Sequence, residues 1–139
     1  MILASCKRRV AFADYSRKSD LDQPGEVWIA SLDGAELINL SNNSTADDGH
    51  PNWSPNGRKI AFESNRTGNY DIFVVNADGS GLVNVTPDSA GANHNPAWSP
   101  DGLRIAFTRN GELWVMNANG SGAAQISMQS VISEKLKWH

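Results

Sequence analysis

One phrase is written three times along this chain, and nothing constrains its fold more. Residues 51–86 read PNWSPNGRKIAFESNRTGNYDIFVVNADGSGLVNVT, and residues 95–127 read NPAWSPDGLRIAFTRNGELWVMNANGSGAAQIS. Trp53 and Ile60-Ala61-Phe62 recur 45 residues on as Trp98 and Ile105-Ala106-Phe107. Phe73 recurs after 41 residues as Trp114, because the intervening hairpin loop is four residues shorter. Upstream, Val10-Ala11-Phe12, Val27-Trp28-Ile29, Asp33-Gly34 and Ile38-Asn39-Leu40-Ser41 align with the same phrase. Turn chemistry bounds each apolar run. Ser99-Pro100-Asp101-Gly102 puts Pro second and Gly fourth, as a type I turn wants. Asn110-Gly111 is the strongest short hairpin signal, because both residues tolerate positive φ, and Asn119-Gly120 repeats it.

Four short strands per unit at a period of about 40 to 45 residues describe a β-propeller blade. The fold class is therefore all-β, with about three blades of four antiparallel strands. Blade one covers about 1–49, blade two about 50–93 and blade three about 94–133. Residues 134–139 read as the first strand of a further blade, since Trp138 follows Trp98 by 40 residues. Ile60 and Phe62 point one way and Ala61 the other, and Ile72 and Val74 oppose Phe73 and Val75. Both faces are apolar, as a blade packed between two others requires. Trp28, Trp53, Phe73, Trp98, Trp114 and Trp138 are therefore expected in the inter-blade core.

The Trp-Ser-Pro-Asp-Gly turn, the Ile-Ala-Phe strand, the Asp-Ile-Phe and Leu-Trp strands and the Asp-Gly-Ser-Gly turn resemble the WD40-like repeats of TolB-type β-propellers. The resemblance runs from about Lys7 to His139. It implies six blades, a bacterial protein and a role in binding envelope proteins or peptides. The sequence as given, without a signal peptide, reads as cytoplasmic; the resemblance points to the periplasm or cell envelope. Three blades cannot close a ring, and an open arc leaves apolar faces and strand edges uncovered. A strand-exchanged homodimer solves this, with Leu136 to Trp138 of one copy laid along Val10 and Phe12 of the other. The competing arrangement makes Met1 to Ser5 the inner strand of the first blade, with Leu3 in the place of Trp53.

Composition narrows the function. The 139 residues carry a net charge of −3, which argues against a nucleic-acid partner. The basic cluster Lys7, Arg8, Arg9, Arg17 and Lys18 reads as a solvated edge. No apolar run is long enough to span a membrane. The single Cys rules out an internal disulfide framework and a Cys-based zinc site. Leu3-Ala4-Ser5-Cys6 resembles a lipoprotein signal, but too few apolar residues precede Cys6, and a buried strand remnant is the plainer reading.

Motifs for a nucleophile elbow, a zinc protease and a phosphate loop are all missing from the chain. His50 and His94 sit beside prolines in segments that lead into an inner strand. His50, Asn52, His94 and Asn95 are thus candidate binding residues at one mouth of the propeller channel. Asp47, Asp48 and His50 are a weak metal candidate, calcium being the ion their oxygens suit, against a plainer role in connector hydrogen bonding. Asp71 opposite Arg66 across the hairpin reads as a structural pair. The expected function is a non-enzymatic protein- or peptide-binding module without a cofactor. The alternative is the propeller part of an enzyme, either the gating domain of a peptidase or a metal-dependent lyase-like propeller. The lack of a hydrolase domain weighs against the first and the scarcity of His against the second.

Overall fold

The apolar runs become strands wherever turn residues bracket them. In the computed structural model, whose described residues are 8–15, 24–42 and 45–126, eleven strands form three antiparallel sheets, with no helix among those residues. The first sheet holds β1 (Arg9–Asp14), β2 (Glu26–Ser31) and β3 (Leu37–Asn39). The second holds β4 (Asp48–Trp53), β5 (Lys59–Ser64), β6 (Asp71–Asn76) and β7 (Val83–Asn84). The third holds β8 (Asn93–Trp98), β9 (Arg104–Arg109), β10 (Glu112–Asn117) and β11 (Ala124–Gln125). Each sheet is a meander in chain order. Their registers coincide: Ala11 faces Ile29, Ala61 faces Val74 and Ala106 faces Val115. Met1 to Cys6 and Glu134 to His139, on which the two expectations for the first sheet's inner strand rest, lie outside the described residues.

Side chains set the tight turns. Ser54 Oγ accepts the Lys59 N–H and donates to Asn56 Oδ1, while the Gly57 N–H closes on the Ser54 carbonyl at 2.9 Å. Ser99, Asp101, Gly102 and Arg104 repeat the arrangement. The Ser99 hydroxyl, first among several donors, holds the exposed Asp101 carboxyl below its ordinary value. Asn110 and Gly111 have φ of 52° and 83°, and link β9 to β10 in two residues as expected. Asn119-Gly120 departs from the expectation. Positive φ falls on Gly120 and Gly122 in a six-residue loop, and Asn119 Oδ1 instead accepts the Ser121 N–H.

Two seams hold the sheets together. In the first, Ala11, Val27, Ile29 and Leu40 meet Trp53, Ile60, Phe62, Phe73 and Val75. In the second, Ala61, Ile72, Val74 and Val85 meet Trp98, Ile105, Phe107 and Met116, with Trp114 packed alongside. The residues correspond position by position: an aliphatic face of one sheet takes the aromatic face of the next. Trp28 alternates with Val27 and Ile29, so it lies on the first sheet's other face with Val10 and Phe12. All three are half-buried.

Gly120 lies against the Val85 backbone across the second seam. A Cβ there would lie 2.3 Å from the Val85 carbonyl oxygen, whereas one on Gly79, at the equivalent turn with similar φ, would meet nothing within 4 Å. Gly79→Ala is therefore expected to cost about 1 kcal/mol, the backbone penalty alone. Gly120→Ala is expected to cost at least about 3 kcal/mol, because the seam must also open. Urea unfolding midpoints check this; equal losses would show that the close approach carries no weight.

Candidate functional site

At the end of the sheets where β4 and β8 begin, both strands carry a bulge. The registers shift between Gly49 and Asn52 and between His94 and Ala97. His50 and Asn95, equivalent in the repeat, take φ of 47° and 55°, each just before a proline. A bulge re-aims side chains and ends regular pairing. Here it turns His50 and Asn95 outward, where both are exposed.

Glu63 joins these segments. It shares the face of β5 that carries Ala61, and so points toward the third sheet. Its Oε1 lies 3.0 Å from His50 Nδ1 and 3.1 Å from His94 Nδ1. Its Oε2 accepts the Asn95 N–H at 2.8 Å. Glu63 is only 6% exposed, so this frame is shielded while the imidazoles reach the surface. The His94 ring lies 4.6 Å from that of Tyr70.

Tyr70 extends the frame toward the first sheet. Its hydroxyl donates to Asp47 Oδ2 at 2.8 Å, and Asp47 Oδ1 accepts the Gly25 N–H at 2.8 Å. Burial, then the hydrogen bond to Asp47 and the charges of Asp47 and Glu63, push the Tyr70 phenol up to about 12. Tyr15 is raised too, by burial first and then by Asp47, Glu63 and Asp48. It covers Gly25 and Gly49, where an added Cβ would lie 2.3 Å from its ring and 2.1 Å from its hydroxyl. Two protonated phenols, two imidazoles and an amide side chain thus gather around the Glu63 and Asp47 carboxylates. That inventory suits hydrogen bonding and ring stacking.

Three of the four expected mouth residues, His50, His94 and Asn95, meet through Glu63. Asn52 is spent between sheets: its Oδ1 accepts the Trp98 N–H at 2.9 Å. Asp47, Asp48 and His50 do not converge on one point. Asp47 holds Tyr70 and Gly25, His50 holds Glu63, and the fully buried Asp48 meets Arg66 Nη2 at 3.2 Å. Among the described residues, no group of three or more His, Cys, Asp or Glu is set to hold a metal ion.

The Asp71–Arg66 pair is corrected. Arg66 reaches back to Asp48 and lies over the Phe62 and Phe73 rings. Asp71 instead accepts from Thr67, Asn84, Thr86 and Asn93, and so ties the connector to its own sheet. Glu63 and Tyr70 were missed in the sequence. Each breaks the repeat: Ala13 and Thr108 stand where Glu63 does, and Gly25 and Gly111 where Tyr70 does.

A family model described as TolB beta propeller domain matches residues 4–139. No curated protein matches the chain in sequence. Among solved structures, a putative TolB from Agrobacterium tumefaciens matches with a TM-score of 0.74 at 22% identity, over 85% of this chain and 44% of its own. TolB from Acinetobacter baumannii matches with a TM-score of 0.70 at 22% identity, over 86% of this chain and 30% of its own. An oligogalacturonate lyase in complex with manganese matches with a TM-score of 0.66 at 17% identity, over 86% and 33%. At these identities the likeness is one of fold, and the chain spans less than half of each of these structures.

The third sheet suggests a test of the buried charge. Asn93 stands where Asp48 does, and Arg109 Nε donates to its Oδ1 at 3.0 Å. Asp48→Asn should reproduce that pair in the second sheet. Burial raises the Asp48 carboxyl above its ordinary 3.8, against the opposing pull of Ser64, Arg66 and Ser41. Its contribution is then full below that value and is lost as pH rises through the raised native value. The Tm of Asp48→Asn relative to the parent should therefore be higher by a few degrees at pH 7 than at pH 3.5. An unchanged difference would refute the assignment.

Proposed function

The chain belongs to the TolB beta propeller domain family, and on that premise we propose that it is a non-enzymatic binding module for a protein or peptide. The ligand docks at the end of the sheets where His50, His94 and Asn95 meet. The observation that supports this reading most is the Glu63 carboxylate. It holds recognition groups from two sheets in one fixed arrangement, and a pre-ordered surface loses less freedom on binding.

The proposal includes ring closure by a second copy of the chain, three blades and three blades making six. Both seams within the chain press an aliphatic face on an aromatic one. The first sheet keeps an aromatic face, Val10, Phe12 and Trp28, and the third keeps an aliphatic one, Ala106, Leu113 and Val115. These are the two halves of another such seam, and a heterologous contact that closes makes a ring.

The fold likeness to the manganese-bound lyase, with two imidazoles on one carboxylate here, keeps one alternative: the propeller part of an enzyme. A tightly held transition metal in the purified protein would favour it; none, or calcium alone, would favour the binding module.

Light scattering should give a dimer near twice the 15.0 kDa chain mass, and Val115→Asp should abolish it. A persistent monomer would overturn closure. Peptides selected on the parent protein should bind His50→Ala/His94→Ala at least about 10-fold more weakly, a loss of about 1.4 kcal/mol, with Tm nearly unchanged. Equal binding would move the site elsewhere.

A further inference from the structure

The two seams are built from the same positions but from different side chains: Ile72, Trp114 and Met116 of the second are larger than Val27, Phe73 and Val75 of the first, while the edge beside the turns is lined by smaller ones. The first uses Ile29, Ile38 and Leu40; the second uses Val74, Val83 and Val85 in their places. Glu36, which pairs with Arg9 beside the first seam, is replaced by Gly81 in the second. Each exchange removes a methylene or a whole side chain. The outcome is a cleft of about 430 Å³ at the turn end of the second and third sheets, within the range of small-molecule pockets. It lies at the opposite end of the strands from Glu63.

Val74, Val83, Val85, Trp98 and Ala118 form its apolar lining. Trp98 is 8% exposed, and its Nε1–H is buried with no hydrogen-bond partner among the described residues. Ser54, Asn56, Lys59 and Asn119 supply the polar lining, which contains no carboxylate. Lys59 Nζ is exposed and donates to Asn76 Oδ1, leaving other N–H bonds for an incoming group.

We infer that this cleft is a binding site for an apolar group about the size of an aromatic or branched side chain that carries a carboxylate. The apolar part fills the space that smaller residues leave in the second seam. The acid meets the Lys59 cation at the polar lining, and the apolar part lies against Trp98. Free organic acids and peptide carboxy termini share this chemistry. The site is independent of the channel mouth and stands whether or not that reading holds.

The test uses 3-phenylpropionate on the full chain, followed through the five Trp indole N–H signals in ¹H–¹⁵N spectra. The Trp98 signal, assigned by its disappearance in Trp98→Phe, should shift and saturate with a dissociation constant on the order of 1 mM. The Trp53 signal, in the other seam, should stay in place. Val74→Ile/Val83→Ile/Val85→Leu, which copies the first seam, should weaken binding at least 10-fold. Lys59→Gln, an exposed change that keeps the seam intact, should weaken the acid severalfold and leave 3-phenylpropionamide unaffected. Tighter binding of acetyl-Gly-Phe with a free carboxylate would assign the site to peptide termini; the reverse order would assign it to free acids. A still Trp98 signal at 10 mM acid, or undiminished binding by both variants, would overturn the inference.

Discussion

A sheet that is apolar on both faces must be covered twice, and the second sheet of this chain is covered on each face by another sheet. The rest of the structure depends on that seam. Burying one large apolar side chain stabilises by about 2 kcal/mol, and Trp53, Phe62, Ile60 and Val27 are all essentially inaccessible in the first seam. No single sheet has such a core of its own. The seam also fixes which side chains reach which neighbour. Phe62 and Phe73, 5.9 Å apart on one face, close the first seam. Glu63, one residue on, is turned by strand alternation to the other face and meets the third sheet.

The two ends of the sheets manage their polar groups differently. At the turn end, short Ser-Pro-Asx-Gly loops satisfy themselves, and the hydroxyl of the Ser serves as both donor and acceptor. At the other end, buried side chains tie the connectors to the sheets. Asp71 gathers side-chain donors from Thr67, Asn84, Thr86 and Asn93, and Thr86 Oγ1 accepts the backbone Ile72 N–H. Ser41 does the same for Val27 one repeat earlier. Long-range polar contacts are therefore concentrated at the mouth, which is where groups able to bind a ligand are also held in place.

What could be read from the sequence follows from the range of the interaction. The strands, their order and the Asn110-Gly111 link depend on residues close in the chain, and alternation made the seam positions legible as well. The Asp71–Arg66 pairing failed because two residues flanking one hairpin are near in sequence, while the competing partner, Asp48, lies across the sheet. Asn119-Gly120 failed because a two-residue turn was inferred from a dipeptide that here belongs to a six-residue loop. Glu63 was hidden for a different reason. It occupies a half-buried strand position held by Ala13 and Thr108 in the other repeats, and only the fold reveals that it meets His94.

Repetition itself then separates structure from specialisation. Positions that agree in all three units, such as Ala11, Ala61 and Ala106, serve the seam, because every seam makes the same demand. A position that departs from its equivalents answers to something the seam does not require. Glu63 against Ala13 and Thr108 introduces a charge that the packing would be more stable without, since a buried carboxylate needs partners to be tolerated. Tyr70 against Gly25 and Gly111 adds a ring at the same place. Gly81 against Glu36, with Val83 against Ile38, removes material and leaves a cleft where the first seam carries bulkier side chains. Addition at one end and removal at the other act on the same pair of sheets. The junction of the second and third sheets is therefore where this chain sets side chains apart from the common blade at both ends.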